Sequence, residues 1–155
     1  MMQTSRTMSF RKKWLAFGPA VLALMIGSVA EAQSANDVRQ KVSAAEAAVL
    51  QAVSRRDSAL LRKTVNDLAP LIENGLKRKK AGGQVSSCDL AAHSLGFAAT
   101  SLAQAITQRG EPRKLLMSDA REAAADFSRD MAACDVQAGQ KTGNHAGVER
   151  ALRAL

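Results

Sequence analysis

Residues 86–134 read SSCDLAAHSLGFAATSLAQAITQRGEPRKLLMSDAREAAADFSRDMAAC, and the rest of the chain falls into place around them. Small and apolar residues recur at steps of three and four through Cys88, Ala92, Leu95, Ala99, Leu102 and Ile106, and again through Leu116, Ala120, Ala123, Phe127, Met131 and Cys134. That spacing keeps each set on one face of an α-helix. Between them Arg109-Gly110-Glu111-Pro112 breaks the rhythm, and Pro112 suits a first helical turn because its missing N–H would be unpaired there anyway. Two such helices joined by a short turn form an antiparallel hairpin, in which facing residues have numbers summing to a constant. Cys88 and Cys134 have their midpoint at residue 111, inside the turn, so the two thiols are expected to meet at the hairpin's open end.

In an oxidising compartment such a pair closes into a disulfide. The spacing lacks the Cys-x-x-Cys pattern of a redox-active pair, and no cation stands beside either cysteine to lower a thiol pKa. Two buried free thiols are the competing reading. A second helix start also competes, because Asp119 with Glu122 resembles a capping pair. It would move the hairpin's centre to about 113.5 and misalign the cysteines.

Upstream, Val38, Val42, Ala45, Val49 and Ala52 mark one helical face in a segment whose first turn Asn36 or Asp37 would cap. Leu61, Val65, Leu68, Ile72 and Leu76 mark another, from Asp57-Ser58 to Ala81-Gly82-Gly83, with Pro70 inside it expected to bend the helix. No segment alternates with the period of two that a strand needs. Segments of about 20–24 residues make rods on the order of 30 Å long. Joined by short turns, they predict an all-α, up-down four-helix bundle built of two antiparallel helical hairpins. Residues 33–135 would form this bundle, and residues 136–155 a flexible linker and short amphipathic tail.

Residues 1–32 carry the pattern of a signal peptide. Arg6, Arg11, Lys12 and Lys13 form a basic head, Trp14 to Ala30 is uncharged, and Ala30-Glu31-Ala32 offers small residues to a peptidase cutting before Gln33. An uncleaved anchor is the rival, at the lower edge of spanning length and interrupted by Gly18-Pro19. Cleavage would leave 123 residues, with 18 Lys/Arg against 13 Asp/Glu, in a periplasmic or secreted protein with no stable membrane span. Only Phe97 and Phe127 would remain as aromatics, too few to stack nucleic-acid bases.

Lys77-Arg78-Lys79-Lys80 supplies four of those positive charges. Its functional reading is a patch for an anionic partner. Its plainer reading is a helix end, where cations stabilise the exposed carbonyls. His93 lies on a helix flank and His145 in the polar tail, where it is expected to be solvated. Neither has metal-ligand spacing to Cys, Asp or Glu, and no nucleophile, zinc or phosphate-loop motif is present. In size and topology the pattern resembles the cytochrome c-prime bundles, yet without a Cys-x-x-Cys-His attachment motif no haem is implied, and no cofactor is expected. Asp119, Glu122, Asp126 and Asp130 form an acidic stripe that reads as a solvated helix face. The sequence therefore points to an exported helical binding protein contacting an unidentified protein or an anionic envelope component, with self-association left open. The alternative is a small hydrolase whose Asp and His residues are assembled by the fold.

Overall fold

The computed structural model describes residues 20–155, with side chains described from Ala35 onward. The basic head and Gly18-Pro19 of the expected leader lie outside the described residues. Five helices follow in order: α1 (Ala20–Arg55), α2 (Ser58–Lys80), α3 (Ser87–Thr107), α4 (Gly110–Gln137) and α5 (Gly147–Arg153). Among the described residues there is no strand. The four long helices pack as a bundle, and α5 closes one side against α1 and α4.

Chain chemistry accounts for the helix ends. At the end of α1 the Asp57 amide donates to the Ala52 carbonyl and the Arg56 amide to that of Val53, the paired bonds of a Schellman turn. Such a turn needs one left-handed residue, and here it is Arg56, at φ 52°. The same pair of bonds ends α2 around Gly82 and α4 around Gly139, where glycine takes the left-handed position without a Cβ to clash. Asp57 then caps α2 through the amides of Ala59 and Leu60. Ser86 and Asp89 exchange side chain-to-backbone bonds in a capping box at the start of α3.

Two local expectations are corrected. Helix α1 runs from Ala20 straight through Asn36 and Asp37, so neither is a cap; the Ala-rich stretch around them holds no proline or glycine pair that would stop a helix. Helix α4 begins at Gly110 and passes through Asp119, so Asp119 and Glu122 are interior residues and the hairpin keeps its short turn. Helix α2 continues through Pro70, which lies on its exposed side.

Helix α3 is the centre of the bundle because its sequence permits it. From Leu90 to Gln108 it carries no Asp, Glu, Lys or Arg, and it packs against α1, α2 and α4. Its close approach to α2 depends on glycine. A Cβ on Gly75 would stand 3.1 Å from the Asp89 Cβ, and one on Gly96 3.0 Å from the Ile72 Cδ1. The core is filled by Val42 and Val49 of α1, Leu61 and Leu68 of α2, Leu95 and Leu102 of α3, and Phe127 and Met131 of α4. Each such side chain contributes roughly 1.5–3 kcal/mol on leaving water. At the open end of the α3–α4 hairpin the sulfurs of Cys88 and Cys134 are 2.06 Å apart, a disulfide across 46 residues of sequence. Among the described residues, no helix is long and apolar enough to cross a membrane.

Candidate functional site

Two places in the fold concentrate chemistry. The first lies where the C-terminal segment returns to the bundle. Asp135, the residue after the disulfide cysteine, is completely buried in the last turns of α4. Its Oδ1 accepts from Arg39 Nε of α1 at 2.5 Å, and its Oδ2 accepts from the Gly143 amide at 2.7 Å and from His145 Nε2 at 2.8 Å. The other ring nitrogen of His145, Nδ1, donates to Glu46 Oε2 of α1 at 3.1 Å, while the ring's edge meets Phe127 at a centroid distance of 6.3 Å.

The charges in this clasp are set by burial and by each other. Burial alone would push the His145 pKa down, but hydrogen bonds to Asp135 and Glu46 and their negative charges outweigh it and hold the imidazolium form above its ordinary range. Burial raises Asp135, yet the Gly143 amide, His145 and Arg39 together leave its carboxyl below the usual range. For Glu46 burial dominates, and its pKa is raised despite His145.

This geometry corrects one expectation for the tail. His145 is not solvated; its side chain is 10% exposed and bridges two carboxylates. The short amphipathic tail expected within residues 136–155 is α5, which buries Val148 and Leu152 completely, and Gly143 and His145 tie the loop before it to Asp135. The fold does assemble a histidine with two acids, the arrangement a hydrolase would use. A general base needs a ring nitrogen free to take a proton from substrate or nucleophile. Both nitrogens of His145 are occupied by carboxylates, and among the described residues no Ser, Thr or Cys hydrogen-bonds to the ring. Nor do the described residues contain a group of three or more His, Cys, Asp or Glu placed to hold a metal ion. The clasp's chemistry is that of a buried ion-pair network joining α1, α4 and the α4–α5 loop.

The second place is the outer face of α2 and α3. A groove of about 190 Å³ runs between them, lined by Ile72, Leu76 and Lys79 on one side and by Val85, Leu90 and His93 on the other. Leu76, Leu90 and Phe97 are each about half exposed, at 49%, 46% and 51%. Leu90 and Phe97 are seven residues apart, two turns of one helix, and so stand on the same side of α3.

Lys77, Arg78, Lys79 and Lys80 occupy the last turn of α2, as a helix-end reading requires, but they divide. Arg78 Nη2 donates to Asp89 Oδ1 at 2.5 Å, and Asp89 is almost wholly buried beneath it. Burial would raise Asp89, but Arg78 and both groups of Ser86 hold its carboxyl low. Arg78 thus locks the end of α2 to the start of α3. Lys79 lines the groove, and among the described residues Lys77, Lys79 and Lys80 make no ion pair. Of the acidic stripe on α4, Asp130 accepts from Ser94 Oγ of α3 at 2.6 Å and Asp126 pairs with Arg129.

Legible signs of both places exist in the sequence. Asp135 lies four residues after Met131 and Glu46 four after Val42, so each is an acid on an apolar seam, which calls for a buried partner. Leu90 and Phe97 fall off the seam of α3 that runs through Cys88, Leu95 and Leu102. Large apolar side chains off the seam are left for the surface. The partners of Asp135 leave no such sign, since Arg39 and His145 are 96 and 10 residues away. Comparison of the chain with family models, with curated proteins and with solved structures returned no match.

Proposed function

We propose that this chain is an exported, non-enzymatic helical binding module that contacts an anionic partner through the basic end of α2 and the apolar groove beside it. One observation carries the reading: half-exposed Leu76 and Leu90 border a groove with Lys79, in the turn that also holds Lys77 and Lys80, and none of the three lysines has an ion-pair partner among the described residues. Exposed apolar clusters rimmed by charge mark interaction sites more often than idle surface. Arg78 is excluded from the contact set, because its charge is spent on Asp89.

Export is supported by the leader pattern of residues 1–32 and by the disulfide, a bond that persists in oxidising compartments and is rare in reducing ones. A cut before Gln33 would leave 23 residues of α1, the length of α2. The hydrolase alternative is weaker, since the one assembled histidine has both nitrogens committed to carboxylates.

The test is cell fractionation of the wild-type chain and of K77Q/K79Q/K80Q, with Arg78 kept so that the α2–α3 lock survives. Envelope association that weakens with salt, and that the triple variant largely loses, supports the reading. Association indifferent to both salt and substitution refutes it and leaves the lysines as a helix terminus.

A further inference from the structure

The geometry points to an anionic lipid surface as the partner of this face, with Leu76, Leu90 and Phe97 entering the headgroup boundary and Lys77, Lys79 and Lys80 held against the lipid phosphates; this rests on the binding-module reading above.

Three observations favour a lipid surface over a folded partner. The apolar residues project, each about half exposed, whereas the groove that Leu76 and Leu90 border, with Phe97 outside it, encloses only about 190 Å³. Sites that engulf small molecules usually measure about 300–1,000 Å³, and a groove that seats a helix must take a row of anchors over two turns. A ridge of apolar side chains with little depth fits a soft, continuous apolar phase better than a shaped ligand.

The second observation is the placement of charge. Lys77, Lys79 and Lys80 stand in the turn that follows Leu76, and Lys79 lies on the groove's rim. Lysine stems lie along apolar surface while their ammonium groups reach outward, so this arrangement places charge at headgroup level above inserted leucine and phenylalanine.

The third is the state of nearby acids, which would otherwise repel an anionic leaflet. Asp89 is buried under Arg78 and Asp126 is paired with Arg129, while Asp130, which accepts from Ser94, keeps its charge on the α4 side of α3. In the second half of α2 Glu73 is the single acidic side chain, against three lysines beside the paired Arg78. An anionic surface therefore meets net positive charge here.

The experiment places an indole on the face itself. Trp14 is the chain's one tryptophan, so F97W in a W14F background carries the sole indole whether or not the leader has been removed. Vesicles of phosphatidylglycerol are expected to shift its emission to the blue, and brominated acyl chains to quench it, while phosphatidylcholine vesicles leave it unchanged. Each lysine near an anionic leaflet strengthens adsorption about fivefold, so K77Q/K79Q/K80Q is expected to weaken partitioning by about 100-fold. L76S/L90S is expected to retain adsorption at low salt and lose what survives at about 1 M salt, where the Debye length is about 3 Å. Circular dichroism shows whether each variant keeps its helices.

Unshifted F97W emission on phosphatidylglycerol overturns the lipid assignment, as does a shift that is equal in the lysine variant. If the lysines remain necessary for envelope association and protease treatment of the envelope abolishes it, the partner is an acidic protein: the lipid inference fails and the broader reading stands. Loss of lysine dependence in both experiments defeats both.

Discussion

Replacing Asp135 with asparagine keeps the side chain's shape while removing the charge on which three donors converge. Oδ1 receives Arg39 Nε, and Oδ2 receives both the Gly143 amide and His145 Nε2. An amide has one carbonyl oxygen and one NH2, so in either orientation the NH2 must face a donor. Turned one way it opposes Arg39; turned the other it opposes Gly143 and His145 together. Because Asp135 is completely buried and the His145 side chain is 10% exposed, water does not make good the loss. Removing one partner of a buried pair costs about 3–5 kcal/mol. Domains have about 5–15 kcal/mol in all. Urea titration should show that loss as a fall in midpoint at unchanged slope. Combining D135N with R39Q should cost less than the sum of the single changes by about 1–3 kcal/mol, since the two groups share one interaction. The disulfide still anchors Cys134 to Cys88, so the damage should concentrate in residues 138–153. Amide exchange should accelerate most at Gly143, Val148 and Leu152 while Leu95 and Leu102 of α3 stay protected. A cost below about 1 kcal/mol, or exchange at Gly143 no faster than in the wild type, would refute the view that this carboxylate holds the C-terminal segment in place.

Reducing Cys88–Cys134, or changing both to serine, frees a loop of 46 residues and should lower stability by up to about 4 kcal/mol in the chain-entropy model, measured by urea melts with and without reductant. The clasp also sets a pH profile. The pKa of His145 is raised by folding, so its contribution is complete below the ordinary imidazole range near about 6.5 and drains away as pH climbs through the folded value. Those of Asp135 and Asp89 are lowered, so theirs are complete above the ordinary carboxylate range near about 3.9 and fade as pH falls through the folded values. Glu46 runs the opposite way to them: its pKa is raised, so ionising it costs stability. Thermal melts across pH should show the alkaline decline in the wild type and a flatter one in H145Q; equal slopes would exclude His145 as its source. Arg56 holds a left-handed conformation that glycine adopts freely, so R56G should raise stability by about 1 kcal/mol, seen as an increase of a few degrees in Tm. No increase would mean that the turn holds no strain to relieve.

The apolar rhythm of each helix, the start of α2 at Asp57, its stop at Gly82 and the meeting of Cys88 with Cys134 are all properties of neighbours along the chain or of one hairpin's register. Helical periodicity and turn chemistry act over a few residues, and a hairpin's register follows from the position of its turn. That is why these features can be read from residue spacing alone. The clasp is of another kind. Asp135 on its apolar seam announces that it needs partners, but Arg39 and His145 meet it only when α1 and the α4–α5 loop converge on the end of α4. The same holds for the basic run, whose four residues are equivalent in sequence until Asp89 captures Arg78 and leaves the lysines. Burial and charge pairing depend on which helices lie side by side, and that is settled by packing the whole bundle, with α3, uncharged beyond Asp89, at its centre.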